Sequence, residues 1–251
     1  MPPSTLTPTD LIRCLKTLGV HPGDTLLVHS SLRALGPFEG GGEALIDALR
    51  EVLGPEGLLV VPTHTWDVVN DRQPVWHETL TPSHVGTLTN LLRVRTGAVR
   101  SIHPTHSVAA LGHRAAAFCA GHETDDSPCS PTSPYGRLLE ANGKILLLGV
   151  GLNRCTFIHC LEEIAGLGEI WSLTERARRF CIRANGQILP VMARSHKDYK
   201  SESYGRAEAE LIAAGIVREA DLGPARLLLV ETEGLAAFLV PRFRENPRYF
   251  W

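Results

Sequence analysis

The sequence predicts one α/β domain with a largely parallel sheet and a hairpin in its C-terminal portion. Three observations predict it. Apolar runs of strand length, such as LLVVP and ILLLGV, alternate with segments of helical period. The first two runs are joined by a helical segment, which makes a βαβ unit with a right-handed crossover. Asn185-Gly186 separates two further runs, the strongest short hairpin signal. With 251 residues, 43% hydrophobic and 21% charged, the chain has an ordinary globular composition and enough length for a substantial core, so residues 1–251 read as a single domain.

TPTDLIRCLKTLGVHPG reads as a capped helix stopped at Gly19, with Pro22 beyond it. DTLLVHSS is a strand of buried type, because Leu26, Leu27 and Val28 are apolar in succession. LRALGPFEGGG is a loop, GEALIDALREVLG a helix, and LLVVPTHTW the second strand. HVGTLTNLLRVR reads as helical, AVRSI and SVAALG as extended, and HRAAAFCAG as helical. Residues 121–136 form a long polar, proline-rich segment, and loops of that length are usually functional or disordered. SPYGRLLEANG is a short helix, KILLLGVG a strand and CTFIHCLEEIAGL a helix. The hairpin around Asn185-Gly186 follows, and the remainder reads as mostly helical.

A net charge of −2 offers no overall basic field for nucleic acid or an anionic membrane. The N-terminus has no charged stretch followed by an apolar one, and the apolar runs are far too short to span a bilayer. Both point to the cytoplasm. The six cysteines form no C-x-x-C pair, so zinc-ribbon and thioredoxin-like readings get no support, and each is expected to be a small apolar residue or a free thiol.

Four constellations carry chemistry. On the helix after KILLLGVG, Thr156, His159 and Glu162 recur every third residue and share a face, with Glu163 adjacent. A carboxylate beside an imidazole fixes its tautomer and raises its basicity, as a general base requires. The same spacing also fits a half-buried histidine with a solvated partner. Gly149 and Gly151 supply a tight turn at a strand's carboxyl end, where ligands bind in open α/β sheets; Arg154 stands where a dinucleotide fingerprint would need its third glycine. The second constellation is His29, Ser30, Ser31, Leu32, Arg33 and Gly36, again at a strand end and leading through glycines to a helix N-terminus suited to anions. The third is SIHPTHS, with His103 and His106, which fits a metal ligand, a hydroxyl activator or a hydrogen-bonded turn. The fourth is the set of acids Asp67, Asp71, Asp125, Asp126 and Glu169, which together would make a negative cleft for a cation.

Ordered motifs over nearly the whole chain resemble the aminoglycoside 3-N-acetyltransferases, the antibiotic N-acetyltransferase family. They are LLVHSSLRALGPFEGGGEALIDALREVLGPEGLLVVPTHT, RSIHPTHSVAALG, SPCSPTSPYGRLLE, GKILLLGVGLNRCTFIHCLEE and ENPRYF. The resemblance implies an α/β sandwich around a mixed sheet, distinct from the GCN5-type acetyltransferase fold. It implies direct acetyl transfer from acetyl-CoA to an amine of an aminoglycoside, the 3-amino group of its deoxystreptamine ring. The family's T-x-x-H-x-x-E motif falls on Thr156, His159 and Glu162. His159 is then the general base, Glu162 its partner with Glu163 as fallback, and His106 a further candidate. The coenzyme loop falls on His29 to Arg33, with Gly36 and Ser107 near it, and Asp67, Asp125, Thr156 and Glu163 are candidates for the polycationic acceptor. The segment SHKDYKSESY lacks the cysteine that some relatives use in a zinc-like insertion, so no metal is implied. The assembly is expected to be a monomer or homodimer. The competing readings are a metal-dependent hydrolase using His103, His106 and His159, a Cys155 or Cys160 nucleophile, a non-antibiotic amine as acceptor, and a binder without turnover.

Overall fold

Residues that alternate along one strand reach opposite cores, and this builds the architecture. The computed structural model describes residues 5–175, 177–196 and 201–250. The start of the N-terminal stretch (1–4), residues 197–200 of SHKDYKSESY and Trp251 lie outside the described residues.

Helix α1 (Pro8–Leu18) opens with a capping box between Thr7 and Asp10 and closes on Gly19 at φ +98°. Strand β1 (Thr25–Ser30) leads through the short α2 (Leu32–Leu35) and helix α3 (Gly41–Leu53) to β2 (Leu58–Pro62). Then come β3 (Val75–His77), α4 (Thr87–Arg93), β4 (Ala98–Arg100), β5 (Val108–Gly112) and α5 (Ala115–Cys119). Helix α6 (Pro134–Glu140) precedes β6 (Lys144–Leu148), α7 (Phe157–Ile164) and the hairpin β7 (Arg178–Ala184) and β8 (Gln187–Ala193). Helix α8 (Glu208–Ala213), strands β9 (Val217–Leu222) and β10 (Ala225–Glu231), and α9 (Thr232–Glu245) complete the chain.

The main sheet has the order β4-β5-β2-β1-β6-β10-β9. Parallel pairing joins β1 to β2 and β6, and the outer pairs are antiparallel. Because β4 and β9 are each reversed twice relative to that centre, five of the seven strands share one direction. Leu27, Val60, Ile145 and Leu147 face one core with residues of α5, α6, α7 and α9. Leu26, Val28, Leu59, Val61, Leu146 and Leu148 face the other with α1, α3 and α4. Burial on both faces is why these strands read as unbroken apolar runs. The result is the expected sandwich.

Two features differ from the sequence reading. The C-terminal portion is not mostly helical, since β9 and β10 form a hairpin through Gly223-Pro224 and β10 pairs with β6. Val217–Leu222 is an edge strand whose Arg218, Glu219 and Asp221 are not buried, so its polar run carries no strand signature. The Asn185-Gly186 hairpin forms as predicted, both residues at positive φ, but it belongs to a second sheet of order β3-β7-β8. That sheet packs on its own small core of Trp76, Phe180 and Ile182. The Arg100 guanidinium stacks on Trp76 and donates to the carbonyls of Glu78, Thr81 and Thr63, which ties the second sheet to the edge of the first.

Candidate active site

The parallel strands β1, β2 and β6 end on one edge of the sheet, and the reversed β5 begins there. Their flanking residues His29, His64, His106 and Val150 therefore meet at the mouth of one cavity of about 540 Å³. Its wall is completed by α7 with Thr156 and His159, and by Arg154, Arg178, His196 and Tyr204. That volume suits a small-molecule ligand, and the edge is where open α/β sheets bind one.

His159 and Glu162 lie one helical turn apart, and His159 Nδ1 is 2.9 Å from Glu162 Oε2. Tyr204 Oη donates to Glu162 Oε1 at 2.9 Å and lies 3.0 Å from His159 Nδ1. All three side chains are buried. Burial raises the Glu162 carboxyl, but His159 and the hydrogen bonds from His159 and Tyr204 outweigh it and hold the carboxyl below its ordinary range. Such a carboxylate accepts the Nδ1 proton, a tautomer that puts the basic lone pair on Nε2. Burial conversely drives the Tyr204 phenol well above its ordinary range, so it remains a donor.

Four more imidazoles surround this pair. His196 stacks on His159 with ring centroids 4.1 Å apart, and His106 meets His196 edge-on at 5.2 Å. His64 lies 4.6 Å from His106 and bonds Tyr135 Oη at 2.9 Å through Nε2. Burial, reinforced by the neighbouring rings, holds His64, His106 and His196 well below the ordinary imidazole range; burial alone takes His29 down to about 4. These four rings are thus neutral near pH 7.

The sequence-selected residues divide. His29, Ser30, His106, Thr156 and His159 line the cavity, with Glu162 directly behind. Ser31 caps α2 by accepting from the Ala34 amide, and its own N–H donates to the Leu148 carbonyl. Leu32 packs into the second core, Arg33 is exposed, and Gly36 ends α2 away from the cavity wall. Ser107 is wholly buried, bonded to Thr63 and Arg100. The expected negative cleft does not assemble. Asp71 pairs with Arg178, Asp126 and Glu169 pair with Arg194, Asp125 accepts from Thr132, and Asp67 is exposed near His84. Four of these acids meet a partner of their own, and none of the five lines the cavity. Glu163 points away from His159 Nδ1, toward Ser127 and His196.

The alternative metal trio does not converge either. His103 is completely buried, accepts at Nδ1 from the amides of Thr105 and His106, and stacks on His122. Among the described residues no group of three His, Cys, Asp or Glu side chains is placed to hold a metal ion. Burial pushes the Cys155 thiol up to about 12 and Cys160 higher still, which denies both the thiolate a nucleophile needs.

Gly149 has a different role from the one its turn suggested. At φ +67°, a Cβ there would meet Ala34 Cβ at 2.8 Å and the Ser31 carbonyl at 3.3 Å. The close approach is made by the chain's own Ser31–Ala34 segment.

Sequence reasoning missed His64, His84, Trp66, Arg178, His196 and Tyr204, all of which line the cavity. His64 follows the end of β2 as His29 ends β1, so the same strand-end logic would have found it. His196 lies just beyond β8 and Tyr204 in the 3-10 helix Ser201–Ala207, and neither follows the end of a central strand.

The family model for aminoglycoside 3-N-acetyltransferases matches residues 27–244. Aminoglycoside N(3)-acetyltransferase VII of Streptomyces paromomycinus is 39% identical over 177 residues, covering 64% of this chain and 61% of that protein. The chain thus aligns with less than two thirds of that relative's length. Aminoglycoside N(3)-acetyltransferase IV of Salmonella sp. is 32% identical over 244 residues, covering 96% of this chain and 88% of the relative. Among solved structures, the apoenzyme of aminoglycoside acetyltransferase AAC(3)-IVa superposes with a TM-score of 0.83 at 30% identity, covering 99% of this chain and 92% of that one. A histidine-to-alanine mutant of the same enzyme, in complex with gentamicin, gives 0.86 at 30% identity, with coverages of 100% and 93%. AAC-IIIb bound to coenzyme A gives 0.81 at 26% identity, with coverages of 96% and 97%. The chain belongs to the aminoglycoside 3-N-acetyltransferase family.

Proposed function

We propose that this protein transfers the acetyl group of acetyl-CoA directly to an amine of an aminoglycoside, the 3-amino group of the deoxystreptamine ring, with His159 as general base. The observation that carries the reading is the His159–Glu162–Tyr204 set on the wall of the cavity in a member of this family. An ammonium group is not nucleophilic. The acceptor therefore reacts as the free amine, its ammonium proton released to solvent; as its nitrogen attacks the thioester carbonyl, one N–H proton passes to His159 Nε2, the C–S bond breaks, and the departing thiolate takes up that proton. Glu162 holds the imidazole and stabilises its cation, and Tyr204 holds Glu162. No side chain needs to carry the acetyl group.

The cavity fits a thioester co-substrate on two counts. Its volume suits a small-molecule ligand, and His29 and Ser30 of its wall lead directly into α2, whose first amides are those of Leu32 and Arg33. Those amides and the exposed Arg33 and Arg154 are suited to the oxyanion and phosphate charges respectively.

The test is thiol release from acetyl-CoA with a panel of aminoglycosides. His159→Ala is expected to lower kcat by roughly 10²–10⁴-fold. A loss below about tenfold with a good acceptor would remove His159 from the role. Release with simple amines but no aminoglycoside would overturn the acceptor, and no release with any amine would overturn the reaction.

A further inference from the structure

Behind the His159–Glu162 pair stands another imidazole and another carboxylate. His196 lies nearly parallel to His159, its ring 4.1 Å away and tilted by 23°, and its Nε2 is 3.6 Å from Glu163 Oε1. Both side chains are almost fully enclosed, at 3% and 7% exposure. Both ring nitrogens of His196 and Oε1 of Glu163 lack a hydrogen-bond partner among the described residues, and Oε2 accepts from the Ser127 hydroxyl. Unpartnered buried polar atoms are costly, and their grouping against the face of the proposed base calls for a function. Adjacent helix residues point apart, so Glu162 meets His159 at its ring edge, while Glu163 meets His196, the ring stacked on the His159 face.

We propose that Glu163 and His196 form a second imidazole–carboxylate pair that positions His159 and supports the positive charge His159 gains during transfer. The proposal rests on the assignment of His159 as base. His196 and Glu163 act through another residue and are positioning residues. The neutral ring of His196 offers its π face to the imidazolium, and Glu163 at the Nε2 edge of that ring becomes a second negative centre when it ionises. Burial raises the Glu163 carboxyl to about 7, while Ser127, the Cys129 amide, His159 and Arg194 each pull it down. Its charge state is therefore coupled to that of His159.

The other charged or titratable groups around the pair come from four directions. Helix α7 brings Glu162 and Cys160, and the 121–136 segment brings Asp125 and Cys129. Arg194 follows β8 with its partners Asp126 and Glu169, while His106, His64 and Tyr204 close the cavity side. The Arg194 cation is shared between two acids, so it does not cancel Glu163.

The experiment compares wild type with Glu163→Gln, which preserves an acceptor for Ser127 and removes the charge. Carbon-13 labelling of histidine rings reports the pH at which His159 titrates, with its signals assigned by their loss in His159→Ala. That pH is expected to fall by roughly half a unit to one unit in Glu163→Gln, the effect of one carboxylate acting across a ring. The acid limb of the pH–rate profile is expected to move with it, with kcat down several-fold and KM within about twofold. An unmoved ring titration overturns the proposal. His196→Phe retains a stacked ring, strips Glu163 of its polar neighbour and is expected to shift the titration in the same direction; it decides the matter if Glu163→Gln does not fold. The ring titration needs no acceptor, so it tests the pair even if acetyl transfer fails.

Discussion

Acidification from pH 7.5 to 5.5 should destabilise this protein severely. Six imidazoles are buried without charge: His29, His64, His103, His106, His122 and His196. Burial takes His29 to about 4 and His122 to about 3, and the other four lie well below the ordinary value. A depressed folded-state pKa means that the unfolded chain binds protons first, so stability is present above pH 6.5 and lost as pH falls. At pH 5.5 an unfolded imidazole is about nine-tenths protonated, so each ring that stays neutral in the fold costs about 1.4 kcal/mol. The unfolded side sets this cost, which is insensitive to how far each folded value lies below 5. Six rings make a ceiling of about 8 kcal/mol. Glu163 opposes it. Its raised carboxyl, about 7, loses stability as pH rises from 4.5 to 7 and so regains about 2 kcal/mol on acidification. The net loss of about 6 kcal/mol is comparable with the whole stability of an ordinary domain. With an m-value of about 3 kcal/mol/M, the urea midpoint followed by circular dichroism should fall by roughly 2 M. A midpoint that is equal or higher at pH 5.5 would mean that these rings already carry protons in the fold.

Tyr204→Phe removes the hydroxyl that holds Glu162 but keeps the ring packed on Phe250, so kcat should fall roughly tenfold with little change in Tm. An unchanged kcat would take Tyr204 out of the site. Gly149→Ala forces a Cβ into Ala34 at positive φ and should cost about 2 kcal/mol or more, a drop in Tm of roughly 4–8 °C. Its KM for acetyl-CoA should also rise, because Ser31–Ala34 must move. Cys155→Ser and Cys160→Ser should each retain activity within about threefold, since neither thiol ionises near neutral pH. A loss of 10³-fold in thiol release with either would revive the covalent route.

The helices and central strands were legible because their signals are local. Thr7 and Asp10 cap α1, and the apolar runs of β1, β2 and β6 betray burial on both faces. His159 and Glu162 were legible for the same reason, since helical spacing alone brings them within hydrogen-bond reach. Spacing did not separate Glu162 from Glu163; the tertiary structure did, by placing Glu162 against Nδ1 and Tyr204 and turning Glu163 toward Ser127 and His196.

Capped helices, doubly buried strands, the Asn185-Gly186 turn and the His159–Glu162 step are legible in the chain, because their reasons lie within a few residues. Packing settled the features that depend on residues far apart in the chain. β9 is a strand because β10 pairs with it, and Gly149 must be glycine because α2 lies against it. Asp71, Asp126 and Glu169 meet arginines rather than one another, and His64, His106 and His196 are neutral because β2, β5 and the chain after β8 bury them together. Local spacing places a side chain on a face, while its charge depends on the solvent and partners that long-range packing removes or supplies.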